Sequence, residues 1–295
     1  MSLVLAVLVV LLVGVDLAVL SGRVDRVVVS TSAGPGTTWV LVGVDSRADL
    51  PAGTTAAQFG TTTDVPGARA DVVLVVHSNG EESTVLSVPR DVVLSDGETS
   101  GRLALSWLDG PQSTVDALCN LGIPTDHLVS VDLAGFASVV DAAGGLDVDV
   151  PAPVRDRAAG LELAEGGRQH VDGRTALALV RSRHPEQLMD GQWVPAQVDP
   201  DGRASAAGQV MDALVDQVQG SVTRPWRLQR VAWAVTGALT VDDGTSAAEL
   251  ASLATLDVGP VSVLPVGAPV DGTLLRFPSP ETRAALTAAG MTCGG

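Results

Sequence analysis

Asp71–Val92, DVVLVVHSNGEESTVLSVPRDV, is the stretch from which the fold of this chain can be read. Val72–Val76 and Thr84–Val88 are apolar, β-branched runs on either side of the polar segment His77–Ser83, the pattern of an antiparallel hairpin. Side chains alternate between the two faces of a strand, and these runs are apolar at nearly every position. The hairpin is therefore expected to be buried on both faces. A turn centred between Gly80 and Glu81 sets Asp71 opposite Arg90. Arg69, Asp71, Arg90 and Asp91 then gather at the end of the strand pair remote from the turn. Charges at the rim of a buried sheet form either a structural ion-pair cluster or a polar site, and the hairpin alone is compatible with both.

Upstream, Thr38–Val44 (TWVLVGV) reads as a short apolar strand ending in Asp45-Ser46-Arg47. Ala48–Ala70, rich in Gly, Thr, Pro and Ala, is a loop of the length that serves as a functional lid or stays disordered. Downstream, Ser95–Gly101 is a polar turn and Pro111–Leu121 a helix, with Pro111 in its first turn and Val115, Leu118 and Leu121 on one face. His127–Val131 is a strand. Leu133–Ala143 is a helix with Phe136, Val139 and Val140 inward, stopped by Gly144-Gly145. Leu146–Val150 is a strand whose Asp147 and Asp149 alternate with valines, as on a solvated sheet face. Asp172 caps a helix running through Thr175–Val180. Ala204–Val218 is amphipathic, Pro225–Leu239 carries Trp226, Leu228, Val231 and Trp233, and two short helices are expected around Val261–Val266. Strands and helices alternate throughout, so the class is α/β with a mixed sheet packed between helices. The expected organisation is an apolar segment at 1–20, a linker at 21–36 and a single domain over 37–295.

The 295 residues are 46% hydrophobic, enough for a substantial core. A net charge of −16 argues against nucleic acid or an anionic membrane surface as the main partner, and the few aromatics, with no Tyr, argue against base stacking. All 18 cationic residues are Arg, as in the codon bias of a GC-rich genome, so only the grouping of arginines carries information. Leu3–Leu20 is an apolar run interrupted by Gly14 and Asp16. As a helix it would span roughly 27 Å against a hydrocarbon core of ~30 Å. It lacks an A-x-A-like cleavage site, so an uncleaved membrane anchor with an exported domain is expected, although Arg23 and Arg26 follow the run instead of preceding it. Two cysteines in an oxidising compartment usually pair. A Cys119–Cys293 disulfide is therefore expected to hold the segment Glu281–Gly295 to the domain.

Several common sites are missing: no G-x-S-x-G, H-E-x-x-H, C-x-x-C, Walker loop or G-x-G-x-x-G occurs. His184 has no partner histidine at ligand spacing and reads as a helix-end or surface residue. The informative group is Leu179-Val180-Arg181-Ser182-Arg183-His184. Where the helix gives way to extended chain, Arg181 and Arg183 point to one side. Two adjacent guanidiniums repel, so they are either solvated or share a polyanion, and their forks match phosphate geometry.

Taken in order, VGVDSR (Val42–Arg47), RADVVLV (Arg69–Val75), VLSVPRDV (Val85–Val92), GIPTDHLVSVDLAGFASVVDAAGGLDVDVP (Gly122–Pro151), GGRQHVDGRTALALVRSRH (Gly166–His184) and DPDGR (Asp199–Arg203) resemble the LytR-CpsA-Psr family of cell-wall ligases. The resemblance implies an enzyme on the outer face of the cytoplasmic membrane. Such an enzyme transfers a phosphorylated glycopolymer from a polyprenyl-pyrophosphate carrier to peptidoglycan, usually with Mg²⁺. Carried over by position, Asp45 and Asp71 are the metal carboxylates. Arg47, Arg69, Arg90, Arg181, Arg183 and Arg203 hold the pyrophosphate, and Arg102 stands where the family has a basic residue. Arg90, Asp91, Arg181 and Arg183 are the expected catalytic group, with Asp71 and Asp91 both open as general base. Val129, Val131, Phe136 and Val140 are expected to line the groove for the polyprenyl tail. The chain departs from the pattern at Ser205-Ala206-Ala207-Gly208, where Arg-Gln is usual, and at Leu103-Ala104, where Asn-Ala is usual. Pro185–Pro200 is insertion-like. These departures keep a second possibility open, a catalytically weak polyprenyl-phosphate-binding protein of wall assembly.

Overall fold

The structure, a computed structural model, describes residues 19–295 apart from 56–58, 81–82, 96–99, 197–201, 222–223, 254–255, 257–258 and 294–295. In chain order, β1 (Asp25–Val27) and β2 (Thr37–Val44) lead to the hairpin of β3 (Ala70–Ser78) and β4 (Ser83–Ser87). A short pair, β5 (Val93–Ser95) and β6 (Ser100–Arg102), precedes helices α1 (Leu103–Ser106) and α2 (Pro111–Leu121). Then come β7 (His127–Asp132), α3 (Leu133–Ala142), β8 (Leu146–Val150), β9 (Val154–Asp156), β10 (Leu161–Leu163) and β11 (Gly167–Val171). Helix α4 (Gly173–Arg181) is followed by β12 (Glu186–Met189), β13 (Gln192–Pro195), α5 (Gly202–Ser221), α6 (Pro225–Ala238) and β14 (Leu239–Asp242). The remaining elements are α7 (Ala247–Leu253), β15 (Ser262–Val263) and α8 (Pro280–Ala288).

The hairpin has the expected register: Ser78 pairs with Ser83 and Leu74 with Ser87, and Val88 N donates to Val73 O at 2.9 Å one step beyond. It sits inside a seven-stranded mixed sheet of order β1-β14-β7-β2-β3-β4-β15. Both faces are covered, as the unbroken apolar runs require. Val73, Val75, Leu86 and Val88 pack with Val115, Leu118 and Leu286 on one side, and Trp39, Val76, Val85, Val129 and Val241 form the core on the other. A further core joins α3, α4 and α5 to β8–β11 through Val140, Leu146, Val148, Val171, Ala176 and Val210. Helix boundaries follow their caps. Asp132 accepts from Gly135 N at 2.7 Å, Asp172 accepts from Thr175 N at 2.8 Å, and Pro111 opens α2. Cys119 and Cys293 are disulfide-bonded, with Cα atoms 5.2 Å apart, across a separation of 174 residues.

One expectation is corrected. The stretch 21–36 is not a free linker: β1 pairs in parallel with β14, Ser32 bridges Thr125, and Val24 and Val29 are buried. Its Gly and Ser residues punctuate short paired segments whose valines need covering. The segment Pro185–Pro200 contains β12 and β13, which extend a four-stranded sheet of order β10-β9-β12-β13. Its turn, Asp190-Gly191, has φ of 52° and 77°. That Asp-Gly pair was a legible hairpin signal, masked by flanks poor in β-branched residues. The N-terminal apolar run falls, up to residue 18, outside the described residues. Among the described residues no helix is long and apolar enough to cross a membrane.

Candidate functional site

The end of the sheet remote from the hairpin turn gathers the charges. A register shift after Gly43 pairs Val44 with Ala70, and Asp45 N then donates to Arg69 O at 2.8 Å. Asp45, Arg69 and Asp71 thereby share one rim, with Arg90 and Asp91 following β4. Asp71 is ion-paired with Arg90, as the register predicted, and lies 3.4 Å from Arg183 Nη2. Asp45 is ion-paired with Arg47, whose Nε donates to Phe59 O at 2.5 Å. Asp91 stands between Arg90 Nε at 3.6 Å and Arg102 Nη1 at 3.3 Å. The Arg181 guanidinium lies 3.9 Å over the Phe59 ring.

The described guanidiniums here, Arg47, Arg69, Arg90, Arg102, Arg181 and Arg183, outnumber Asp45, Asp71 and Asp91. Arg69 Nη1 and Arg181 Nη1 are buried without a hydrogen-bond partner. Burial, then the charge of Arg181, holds Arg47 below the ordinary arginine value, with Arg69 and Arg183 adding to the effect and Asp71 opposing it. For Arg181, burial and then Arg183 act in the same direction, against Asp71 and Asp156. Half-buried cations pressed together and short of acceptors form a site that a multiply charged anion would relieve.

What holds the arginine pair in place was not visible in the chain. Asp156, buried at the end of β9, accepts through Oδ2 from Ser182 Oγ at 2.9 Å, Arg183 N at 2.8 Å and His184 N at 2.9 Å. Its Oδ1 accepts from Ala158 N at 3.0 Å and Ala159 N at 3.2 Å. Burial opposes its ionisation most strongly, but the hydrogen bonds from His184, Ser182, Arg183 and Ala159 outweigh it and leave the pKa below the usual carboxylate value. Asp156 thus pins the extended segment after α4 and aims Arg181 and Arg183. His184 is exposed and takes part only through its main chain. The other end of α4 is fixed on α3: Gly173 N donates to Asp141 Oδ1 at 2.7 Å, and a Cβ at Gly173 would overlap the Ala137 carbonyl. Arg203 lies in the first turn of α5, and its side chain is outside the described residues.

A groove of about 1200 Å³ runs beside this cluster. Its walls include Val44 and Ser130 on the sheet, Ala134 and Ala142 on α3, Trp233 on α6, and Leu50 and Trp107. The four residues expected to line such a groove do not. Val129 faces the opposite side of the sheet, in the Trp39 core, and alternation sends Val131 the same way. Val140 is fully buried on the other flank of α3, and Phe136 packs between that core and the cluster of Phe59, Leu133 and Leu177. The apolar positions expected here are used in the cores, and the groove is walled by the other faces of the same elements together with Leu50, Trp107 and Trp233.

The sequence profile of the LytR_cpsA_psr family matches residues 8–257, and the chain belongs to that family. It is 31% identical over 249 residues to the probable cell wall biosynthesis protein LcpB of Corynebacterium glutamicum, covering 77% of this chain and 58% of that protein. It is 30% identical over 209 residues to the polyisoprenyl-teichoic acid–peptidoglycan teichoic acid transferase TagU of Halalkalibacterium halodurans, covering 64% of this chain and 63% of the relative. In structure it is similar to the LytR-Csp2A-Psr enzyme from Actinomyces oris, with a TM-score of 0.76 and 36% identity over 92% of this chain and 98% of that one. The chain spans about half the length of the curated relatives it matches.

Proposed function

We propose that the protein transfers a phosphorylated glycopolymer from a polyprenyl-pyrophosphate carrier to peptidoglycan at the outer face of the cytoplasmic membrane, anchored through Leu3–Leu20. The strongest support is the surplus of guanidiniums at the strand ends, with Arg69 Nη1 and Arg181 Nη1 buried and unpartnered. A pyrophosphate supplies both the charge and the acceptors that this cluster lacks. Relatives named as polyisoprenyl-teichoic acid–peptidoglycan teichoic acid transferases support the substrate class. The adjoining groove, about 1200 Å³ and partly walled by Leu50, Trp107 and Trp233, offers apolar volume beside the cluster for an isoprenoid chain.

In this reading Arg47, Arg69, Arg181 and Arg183 bind phosphate oxygens, together with Arg90 and Arg203. Asp91 orients Arg90 and Arg102; both of its oxygens face guanidiniums and its side chain is 9% exposed, so it is a poor base. Mg²⁺ suits the donor set. Asp45 and Asp71 offer hard oxygens on neighbouring strand ends, and among the described residues no three His, Cys, Asp or Glu side chains cluster. The remaining ligands would be water and phosphate oxygens, as Mg²⁺ prefers. When bound, the ion would neutralise charge on the phosphoryl oxygens. Asp45 is ion-paired with Arg47, and Asp71 with Arg90 and Arg183, so the carboxylates that would hold the ion also position the arginines. A peptidoglycan hydroxyl attacks the polymer-bearing phosphorus and loses its proton to a base. The bond from that phosphorus to the bridging oxygen breaks, and polyprenyl phosphate leaves.

Calorimetric titration with a short-chain polyprenyl pyrophosphate tests the assignment. Wild type should bind, and the double variant Arg181→Ala/Arg183→Ala should stay folded and lose binding. Equal binding by the two proteins would refute the site. Turnover of the bound carrier to polyprenyl phosphate, followed by chromatography, separates the transferase from a protein that only binds.

A further inference from the structure

Helix α6 does not belong to the arginine cluster, and it has a composition found nowhere else in the chain. The stretch Gln217–Val241 contains no Asp or Glu, although the chain has 34 of them, and it holds Arg224, Arg227 and Arg230. None of these three arginines is paired with a carboxylate among the described residues. The chain has only five Trp and three Phe. Two of those eight aromatics stand out from this one helix: Trp226 is 86% exposed and Trp233 47% exposed. Positions 226, 230 and 233 fall on one stripe of a helix, so an exposed arginine lies between the two indoles. Val231 faces inward and is buried.

The place of the stripe supplies the second observation. Arg23 stacks 3.8 Å over the Trp233 ring, and only Ser21 and Gly22 separate Arg23 from the apolar run Leu3–Leu20. The stripe therefore lies beside the point where that run joins the domain. Exposed indoles flanked by unpaired arginines are suited to one environment, the boundary between headgroups and acyl chains of an anionic bilayer. There the ring is half desolvated and the guanidinium meets a lipid phosphate. Exposed to water alone, two tryptophans on one stripe are an aggregation liability, and only Trp233 has a stacking partner, Arg23.

We infer that α6 is a membrane-interface helix that lays Trp226 and Trp233 into the surface of an anionic bilayer, with Arg224 and Arg230 on lipid phosphates. Docked in this way, the helix that walls one side of the groove faces the bilayer. A lipid can then pass between the two without its chain crossing open water. The inference does not require the transfer chemistry, because it concerns how the domain sits and not what the arginine cluster binds.

The test uses the full chain reconstituted in phosphatidylglycerol vesicles containing brominated lipid, read by tryptophan quenching. Trp39 is buried and Trp107 and Trp193 are half-buried; these three remain in both proteins, so the difference between wild type and the tryptophan variant isolates Trp226 and Trp233. Bromine near the headgroups should quench more than bromine deep in the chains, and the Trp226→Phe/Trp233→Phe variant should lose that component. Each arginine at an anionic surface contributes roughly fivefold in partitioning. Arg224→Gln/Arg230→Gln should accordingly reduce the surface-quenched fraction strongly in phosphatidylglycerol and little in phosphatidylcholine. Arg224 is not a groove residue, so its single variant distinguishes surface docking from a lipid inside the groove. Identical quenching in wild type and the tryptophan variant would overturn the inference. So would quenching that ignores headgroup charge, or protection of the indoles from acrylamide that rises with protein concentration without lipid, which would assign the stripe to a second copy of the chain.

Discussion

Replacing Asp156 by Asn should cost far more than a neutral amide for a carboxylate suggests, because five donors converge on it. If the amide oxygen takes the Oδ2 position, it keeps Ser182, Arg183 and His184 as weaker, uncharged bonds, and its NH₂ meets Ala158 N and Ala159 N head on. If it flips, three donors face a donor. Hydrogen bonds to a charged acceptor are each worth about 1.5–3 kcal/mol, and a buried donor left unpaired costs about 1–3 kcal/mol. Losing two and weakening three should lower stability by roughly 3–5 kcal/mol. Urea unfolding gives the number, and pyrophosphate titration below the transition gives the functional consequence. The segment carrying Arg183 loses its tether, so affinity should fall even in the folded fraction. Asp147→Asn is the control: Asp147 also holds two partners, Arg168 and His170, but in the open, and its unfolding midpoint should not move. A variant at Asp156 within about 1 kcal/mol of wild type, with unchanged pyrophosphate binding, would refute the role given to this carboxylate. The same residue sets a pH dependence. Its folded pKa lies below the usual value, so its stabilisation is fully present above the unfolded carboxylate pKa of about 3.9 and is lost as pH falls through the lower folded value. Acid titration of stability should show this limb in wild type and a flatter one in Asp156→Asn.

Arg181→Ala/Arg183→Ala should unfold within about 1 kcal/mol of wild type, since it removes crowded, partly buried cations and loses mainly the stacking of Arg181 on Phe59; a large loss would make the pair structural. Asp71→Asn should weaken the Mg²⁺ dependence of turnover, and an unchanged metal titration would remove Asp71 from the ligand set. Gly173→Ala should destabilise by about 1–3 kcal/mol, because its methyl would overlap the Ala137 carbonyl where α4 meets α3; a neutral midpoint would mean the two helices can separate freely. Reduction of Cys119–Cys293 should speed amide exchange in α8 ahead of the rest of the domain. Loop closure over 174 residues sets an upper limit of roughly 5 kcal/mol on the stabilisation lost. Two reactive thiols in the unreduced, denatured protein would rule the bond out.

Local spacing carried much of this protein in legible form. Two nearly unbroken apolar runs and the polar turn between them gave the β3–β4 register, and with it the Asp71–Arg90 pair, because antiparallel pairing is decided by the turn that joins the strands. Pro111, Asp132 and Asp172 marked helix starts for the same reason: a cap acts on donors two or three residues away. The two cysteines and the ordered motifs were also open to inspection. Tertiary packing decided the rest. Whether Val129 or Ser130 faces a groove depends on which side of β7 other elements cover, and the sequence gives the alternation without saying which face is which. Asp156 looked like any acidic residue in a turn-rich stretch, since three of its five donors, from Ser182, Arg183 and His184, lie more than twenty positions downstream. The unpartnered nitrogens of Arg69 and Arg181 exist only because separate strand ends and a helix end converge. Residual hydrogen-bonding capacity is a property of that convergence, and no local pattern encodes it.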